Sequence, residues 1–166
     1  MKNLVLIGLS CSGKTTLGKF LAQKLKKNFY DSDFFVEQLS GQSIPALFAV
    51  GEKLFRDWET KALQELASKD GAVIATGGGA VLRQENMQAL KQNGVVIFLN
   101  RNPKNILQNL PQDGSRPLLR GDNQKIFELY KQRLCLYQKY ADYSIEDGNL
   151  DEMQEKLLQI AKEVWG

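Results

Sequence analysis

Histidine is absent from this chain of 166 residues, and cysteine is scarce. Without histidine the protein cannot build a Ser-His-Asp or Cys-His nucleophilic site or a histidine-ligated zinc site. The two cysteines, Cys11 and Cys135, are too few for a framework of disulfides. Any chemistry must therefore use carboxylates, lysine, arginine, hydroxyl groups, backbone amides and a metal bound by oxygen.

Long hydrophobic runs are lacking as well. No apolar stretch approaches the roughly 20 residues that span a bilayer. Glycines and a lysine follow the first apolar residues, where a signal peptide would have its cleavage site. We therefore expect a cytoplasmic protein that binds no membrane. The net charge of +3 is small and gives no reason to expect a nucleic-acid partner. The length suits a single domain over residues 1–166, which we expect to be monomeric.

Short apolar segments alternate with amphipathic ones along the chain. The strand candidates cover residues 4–7, 29–33, 72–76, 95–99 and 143–146. The helix candidates, which place apolar residues on one face, cover residues 14–26, 52–67, 84–92, 104–108, 124–140 and 150–164. This alternation predicts an α/β fold in which helices cover both faces of a parallel sheet. Residues 111–123 are rich in proline, glycine and polar side chains, and a loop of this length is often a functional lid.

Residues 8–15 fit the phosphate-loop pattern GxxxxGK[ST] in full, with a strand candidate before them and a helix candidate after them. Glycines let backbone amides approach a phosphate closely, and the start of a helix adds partial positive charge. In such a loop Lys14 reaches the β- and γ-phosphates and Thr15 ligates Mg²⁺. A glycine-rich turn that binds nothing is the alternative, but spacing, lysine, hydroxyl and flanking segments all favour nucleotide binding. The residues predicted to bind the nucleotide are Cys11, Ser12, Gly13, Lys14, Thr15 and Thr16.

Two acids, Asp31 and Asp33, end the second strand candidate. Ligands bind at the carboxyl edge of a parallel sheet, and positions i and i+2 of a strand point to the same side. One acid could therefore hold the metal while the other faces an acceptor hydroxyl. The alternatives are a solvated turn or the N-cap of a helix that begins near Phe34. The fourth strand candidate lacks the acid of an ATPase second motif, so Asp31 is the better candidate for Mg²⁺.

Taken together, these segments resemble the shikimate kinases, which are P-loop kinases of small metabolites, along nearly the whole chain. The resemblance is carried by GLSCSGKTT at 8–16, DSD at 31–33, SIPALFAVGEKLFRDWE at 43–59, ATGGGAV at 75–81, RPLL at 116–119, and Arg133 followed by Leu136 and Tyr137. It implies ATP- and Mg²⁺-dependent phosphorylation of the 3-hydroxyl of shikimate. It also implies a three-layer fold with a five-stranded parallel sheet, a substrate-binding region at about residues 33–60 and a mobile lid at about 111–123.

The resemblance also implies roles for single residues. Asp33 contacts the hydroxyls of shikimate, while Arg56 and Arg133 hold its carboxylate, a task that suits the planar guanidinium. The middle residue of the glycine triplet contributes a backbone amide, and Arg116 closes from the lid onto the phosphates of ATP. The predicted substrate-binding residues are thus Asp33, Arg56, Gly77, Gly78, Gly79 and Arg133. The predicted catalytic residues are Lys14, Asp33 and Arg116. For Arg56 a helix-surface salt bridge with Glu59 is an alternative that does not exclude binding.

The chain departs from the pattern of the family at three positions. Cys11 stands where the phosphate loop usually has glycine. Cys135 stands where an Arg-x-Pro-x-Tyr segment has its proline. Asn109 stands where an arginine often precedes the lid, and Arg120 could replace its charge. None of these changes removes a group that is central to phosphoryl transfer.

Two rival functions stay open from the sequence. One is a related kinase of another small hydroxylated acid, such as gluconate, or of a nucleoside monophosphate. The other is a regulator that binds nucleotide without catalysis. A guanine-reading Asn-Lys-x-Asp segment is absent, which disfavours a GTPase.

Overall fold

The computed structural model describes residues 1–108 and 123–166. The strands in these ranges are β1 (Asn3–Ile7), β2 (Phe29–Asp31), β3 (Val73–Ala75), β4 (Gly94–Asn100) and β5 (Tyr143–Glu146). They form one sheet in the order β2-β3-β1-β4-β5, and each neighbouring pair is parallel. The predicted five-stranded parallel sheet is therefore confirmed.

Helices connect these strands. They are α1 (Lys14–Leu25), α2 (Ser32–Ser40), α3 (Ile44–Val50), α4 (Glu52–Ala67), α5 (Gln84–Gln92), α6 (Pro103–Leu107), α7 (Asn123–Tyr140) and α8 (Leu150–Trp165), with a short 3₁₀ helix at Ala80–Leu82. The predicted bounds of α4 and α5 agree with the structure at both ends. None of the helices in the described ranges is long and apolar enough to cross a membrane.

The central strand β1 shows why the fold has three layers. Its side chains alternate between the two faces of the sheet, as the period of a strand requires. Val5 and Ile7 pack into a core cluster that includes residues of α4, α5 and α7. Leu4 and Leu6 pack into a second cluster, which is formed with α1 and α8. Because all four side chains are buried, the strand reads as a continuous apolar run.

The region after β2 differs from the prediction. The second strand ends at Asp31, two residues earlier than expected, and Asp33 lies in the first turn of α2. The side chain of Asp31 accepts hydrogen bonds from the backbone N–H groups of Asp33 (2.9 Å) and Phe34 (3.4 Å), which caps the helix. The prediction that both acids lie on one strand was therefore wrong, and the helix-capping alternative describes Asp31.

Helices α2, α3 and α4 form a small subcluster beside the sheet. Their buried side chains, among them Val36, Leu47 and Phe55, make a third apolar cluster. The ends of the helices are fixed locally. Gly41, with φ of 69°, ends α2, and the hydroxyl of Ser43 caps α3 by accepting from the N–H of Ala46. This packing makes α4 a firm support for the side chains that it directs toward the sheet.

Candidate active site

The phosphate loop joins β1 to α1 at the carboxyl edge of the sheet. Gly8 and Gly13 have φ of 148° and 95°, in the region that favours glycine. A Cβ on Gly8 would also lie 2.8 Å from the carbonyl oxygen of Leu99 in β4. Among the described residues, no side chain caps the N-terminus of α1. Its first-turn amides are thus oriented for an anion, as the sequence predicted.

Cys11 has φ of 63°, in the same left-handed region. A residue with a side chain costs roughly 1–2 kcal/mol of strain in this region. Glycine avoids the strain but loses more conformational entropy on folding, which offsets part of the gain. We expect Cys11→Gly to stabilise the protein by about 0.5–1 kcal/mol and to raise Tm by roughly 1–4 °C in thermal unfolding. Cys11→Ser, which removes the thiol and keeps the strained backbone, is the matched control. Equal Tm values for the two variants would contradict this account of the loop.

Lys14 is buried inside the loop that it belongs to. Its Nζ donates hydrogen bonds to the carbonyl oxygens of Gly8 (2.7 Å) and Leu9 (2.6 Å), and it lies 3.3 Å from the hydroxyl of Ser12. The ammonium group therefore holds the loop in shape from within. To contact a phosphate it must exchange one of these bonds for a phosphate oxygen, which as an anion is the stronger acceptor.

Thr15 and Asp31 meet beside the loop. The hydroxyl of Thr15 donates to Oδ2 of Asp31 at 2.7 Å, while Oδ1 of Asp31 is used in capping α2. No cluster of three or more metal-binding acids, cysteines or histidines occurs in the described part of the chain. One hydroxyl and one carboxylate nevertheless suit Mg²⁺, which prefers oxygen and commonly takes one or two protein ligands besides phosphates and water. The residues present therefore fit the predicted metal.

The glycine turn, Gly77–Gly79, follows β3 and is anchored by side chains from two other elements. Its first N–H, on Gly77, donates to the hydroxyl of Ser32 at the start of α2 (2.9 Å). The hydroxyl of Tyr137 in α7 donates to the carbonyl oxygen of Gly78 (2.6 Å). Burial raises the pKa of Tyr137 to about 12, so its hydroxyl stays a donor at neutral pH. These two bonds fix the turn between α2 and α7.

Three charged side chains pack against the glycine turn, of which Arg56 and Arg133 are buried and Asp33 is half-buried. A Cβ on Gly77 would lie 2.8 Å from Oδ1 of Asp33. A Cβ on Gly78 would lie 3.5 Å from Nη1 of Arg133, and one on Gly79 would overlap the guanidinium of Arg56. The turn therefore needs glycine for close approach, and it brings Asp33, Arg56 and Arg133 to one place, as predicted.

Arg56 is held by two carboxylates of its own helix. Its Nη1 donates to Oε1 of Glu59 at 2.9 Å, and its Nε donates to Oε2 of Glu52 at 3.3 Å. Arg56 and Glu59 are buried, while Glu52 is half exposed. Burial, together with the nearby charge of Asp33, raises the pKa of the Glu59 carboxyl to about 7 against the opposing attraction of Arg56. The predicted salt bridge with Glu59 exists, and it orients the guanidinium toward the glycine turn.

A cavity of about 460 Å³ joins the phosphate loop to the glycine turn. Its lining includes Ser10, Cys11, Gly13, Lys14, Thr15, Thr16, Asp31, Asp33, Gly77 and Gly78. The remaining predicted residues that the structure describes lie close by. Ser12 is buried under the loop, and Arg56, Gly79 and Arg133 adjoin the glycine turn. Arg116, Asn109, Arg120 and residues 111–122 of the predicted lid lie outside the described residues, while Asn123, the last residue of that lid, begins α7.

Several lining residues fall outside the predicted site residues, among them Arg101 and Leu150. Arg101 follows β4, and Leu150 begins α8 after β5, so both lie on the opposite side of the phosphate loop from Asp33 and Gly77. Nε of Arg101 is paired with Oδ1 of Asp147 at 3.2 Å. No motif marks these residues. Only the position of Arg101 in the sequence could have indicated its role. An arginine directly after a buried strand lies at the carboxyl edge of the sheet, where ligands bind.

Comparison with known proteins decides the family. The sequence model of the shikimate kinase family matches residues 10–164. The chain belongs to the shikimate kinase family. It is 42% identical over 149 residues to the shikimate kinase of Burkholderia lata, covering 88% of this chain and 81% of that protein. It is 41% identical over 166 residues to the shikimate kinase of Neisseria meningitidis serogroup C, covering 96% and 98%.

Solved structures of shikimate kinases have the same fold. The enzyme from Acinetobacter baumannii, in complex with shikimate, superposes with a TM-score of 0.92 at 38% identity and covers 99% of this chain and 94% of that one. The enzyme from Aquifex aeolicus gives a TM-score of 0.82 at 33% identity, with 97% and 96% covered. The predicted activity, ATP-dependent phosphorylation of shikimate, is confirmed at the level of the family.

Proposed function

We propose that this shikimate kinase transfers the γ-phosphoryl group of ATP to the 3-hydroxyl of shikimate with the help of Mg²⁺, giving shikimate 3-phosphate and ADP. One observation carries the proposal. Asp33, Arg56 and Arg133 converge on a glycine turn that shares a cavity with the phosphate loop. An acceptor held at the turn therefore lies next to the end of a triphosphate held in the loop.

The acceptor end of the cavity matches a hydroxylated carboxylate. The guanidinium groups of Arg56 and Arg133 are both buried, where charge-assisted bonds to a carboxylate are strong. The Asp33 carboxylate can accept hydrogen bonds from hydroxyls, and the N–H of Gly78 adds a donor. Two cations, one anionic acceptor and an amide complement a ring that carries a carboxylate and several hydroxyls. We therefore assign the acceptor to these four residues.

The transfer itself requires few protein groups. In this proposal Asp33 orients the attacking hydroxyl and takes its proton as the new bond to phosphorus forms. Lys14 and the loop amides stabilise the charge on the transferring group, and ADP leaves. Thr15 and Asp31 would hold the metal, which supplies neutralisation of phosphate charge. Catalysis in such a site is mainly positioning and electrostatics.

The lid completes the proposed site. We assign to residues 111–123 the exclusion of water from the bound substrates, which limits hydrolysis of ATP. Arg116 would contact the phosphates of ATP from this segment and stabilise the charge that develops in transfer. Loss of kcat in Arg116→Ala, measured with shikimate and ATP, tests this assignment.

The nucleoside of ATP belongs at the other end of the cavity. Because the acceptor occupies the side of β2 and β3, the base must extend toward β4 and β5, where Arg101 and Leu150 line the cavity. The flat guanidinium of Arg101 can stack on a base, and its Nε forms an ion pair with Asp147 without the geometry of a hydrogen bond. Leu150 is 48% exposed and offers an apolar contact. These two residues suit the two faces of a purine.

Replacing Arg101 by Ala is expected to raise the KM for ATP about tenfold. A stacking cation contributes about 1–2 kcal/mol to binding when it is partly desolvated. The KM for shikimate is expected to change less than twofold, because Arg101 lies away from the glycine turn. Steady-state kinetics with each substrate varied in turn measure both constants. Lys104→Ala, which removes an exposed cation three residues along, is the control, and an unchanged KM for ATP in Arg101→Ala would contradict the assignment.

A substrate panel tests the proposed reaction as a whole. The protein is incubated with ATP and Mg²⁺, and ADP release is measured with shikimate, gluconate and nucleoside monophosphates. Release that depends on shikimate is expected. Dependence on another acceptor would favour the related kinase, and no dependent release would favour a regulator that only binds nucleotide. Phosphorus NMR of the product identifies the hydroxyl that is modified.

The remaining predictions concern context. We propose that the chain acts as a monomeric single domain over residues 1–166, in the cytoplasm, without nucleic-acid or membrane partners. The low net charge and the lack of long apolar runs support this proposal. Size-exclusion chromatography with light scattering tests the oligomeric state.

A further inference from the structure

One buried carboxylate oxygen of Glu59 accepts no hydrogen bond from the residues that the structure describes. The residue has no solvent exposure, and its Oε1 accepts from Arg56. Its Oε2 has no hydrogen-bond partner among the residues that the structure describes. A buried acceptor without a partner is costly, and in native proteins such an atom calls for an explanation.

The unpaired oxygen faces the substrate-binding residues. A Cβ on Gly77 would lie 2.9 Å from Oε2 of Glu59 and 2.8 Å from Oδ1 of Asp33, so both carboxyl groups border the same glycine. Two carboxylates that lie close together disfavour each other's charge, and here Glu59 is buried while Asp33 is half-buried. A proton on Oε2 would remove this repulsion and would turn the unpaired acceptor into a donor.

In the part of the chain that the structure describes, the charges around Glu59 come from three elements. They are Asp33 from α2, Glu52 and Arg56 from α4, and Arg133 and the neutral Tyr137 from α7. With Glu59 ionised, three carboxylates face two guanidinium groups. A substrate carboxylate that binds Arg56 and Arg133 adds one more negative charge. The cluster can restore its balance by binding a proton.

We propose that Glu59 takes up a proton from solvent when the carboxylate of the substrate binds to Arg56, so that binding of the acceptor is coupled to protonation of this positioning residue. The inference rests on the proposed function, because it assumes that shikimate binds at the glycine turn. The free enzyme is poised for such uptake, since burial raises the pKa of Glu59 to about 7. No covalent bond other than the new O–H bond is formed.

Calorimetry of shikimate binding measures the coupling directly. The full-length protein is titrated with shikimate at pH 7 in phosphate and in Tris, which differ in ionisation enthalpy. We expect uptake of about half a proton per shikimate bound, because a group with a pKa near 7 is half protonated before binding. The Kd for shikimate is expected to rise about tenfold between pH 7 and 8.5.

Two variants distinguish an effect of proton uptake by Glu59 from an effect of the shape of the site. Glu59→Gln keeps an oxygen for Arg56 but cannot titrate, so we expect uptake close to zero and a Kd that does not change with pH. Glu52→Gln also neutralises a partner of Arg56, but at a half-exposed position, and is expected to keep the uptake. If Glu59→Gln does not fold, the Kd of the unmodified protein across this pH range decides alone.

The outcomes are distinguishable. Binding of shikimate without proton uptake, a Kd that is constant with pH in the unmodified protein, or full uptake in Glu59→Gln would each overturn the coupling and leave the proposed function intact. Absence of shikimate binding by the unmodified protein would overturn the proposed function and the coupling with it.

Discussion

Replacing Asp33 by Asn is expected to lower kcat for shikimate phosphorylation by about 10²- to 10⁴-fold, the usual contribution of a positioned general base. Asp33 lines the cavity between the phosphate loop and the glycine turn, where an acceptor hydroxyl must lie to reach the γ-phosphate. An amide of the same size can still accept a hydrogen bond, but it cannot take the proton. A coupled assay of ADP release at saturating shikimate and ATP measures the loss.

The same variant is expected to stay folded. Asp33 takes part in the start of α2 through its backbone N–H, which donates to Asp31, and this bond does not depend on the side chain. Asp57→Asn on α4 is the matched control, because Asp57 pairs with Lys53 and Arg83 away from the cavity. We expect its kcat to be normal. If Asp33→Asn kept kcat within threefold and raised only the KM for shikimate, Asp33 would bind the acceptor without serving as its base.

The sequence predicted the sheet because its central strands are buried on both faces. Residues 4–7 and 95–99 are continuous apolar runs, and such runs have few alternatives to a parallel sheet flanked by helices. The phosphate loop was predicted at the level of single residues for a related reason. A backbone that approaches phosphate requires glycine at fixed positions, so the sequence shows this structural requirement directly.

Helix α3 was not predicted, and α2 was offered only as an alternative to a strand, because the signals of both helices are weak. Phe34 to Val36 and the Ile44-Pro45 pair have modest or poor helix propensity, and helices of nine and seven residues are unstable alone. Their stability comes from packing against α4, which the sequence does not display. Asp33, in the first turn of α2, was therefore interpreted as the end of a strand.

The predicted site residues that the structure describes lie near one another, but the contacts that tune them could not be predicted. The spacing of Arg56 and Glu59 indicated a salt bridge, yet the burial of that pair depends on how α4 packs on the glycine turn. The same packing leaves Oε2 of Glu59 facing Asp33. Arg101 and Leu150 were missed because residues that line a cavity by topology alone belong to no motif.

Gly79→Ala is expected to raise the KM for shikimate by about 100-fold or more. The added methyl group would overlap three atoms of the Arg56 guanidinium. Since Gly79 has φ of −98°, alanine can adopt this backbone without strain, and the effect is one of space alone. Arg56 cannot yield without weakening its bond to Glu59, and each charge-assisted bond that it loses to the substrate costs about 1.5–3 kcal/mol. Steady-state kinetics with shikimate varied give the change.

The KM values for the two substrates distinguish displacement of Arg56 from a general loss of structure. Gly51→Ala is the matched control, because Gly51 begins α4 with extended backbone and a Cβ there would meet nothing within 4 Å. We expect Gly51→Ala to behave as the unmodified protein and Gly79→Ala to keep its KM for ATP within about twofold, since the phosphate loop does not contact Arg56. A normal KM for shikimate in Gly79→Ala would mean that the Arg56 guanidinium can move away from the added methyl group. Close packing against the glycine turn would then not be the cause of its position for the substrate carboxylate.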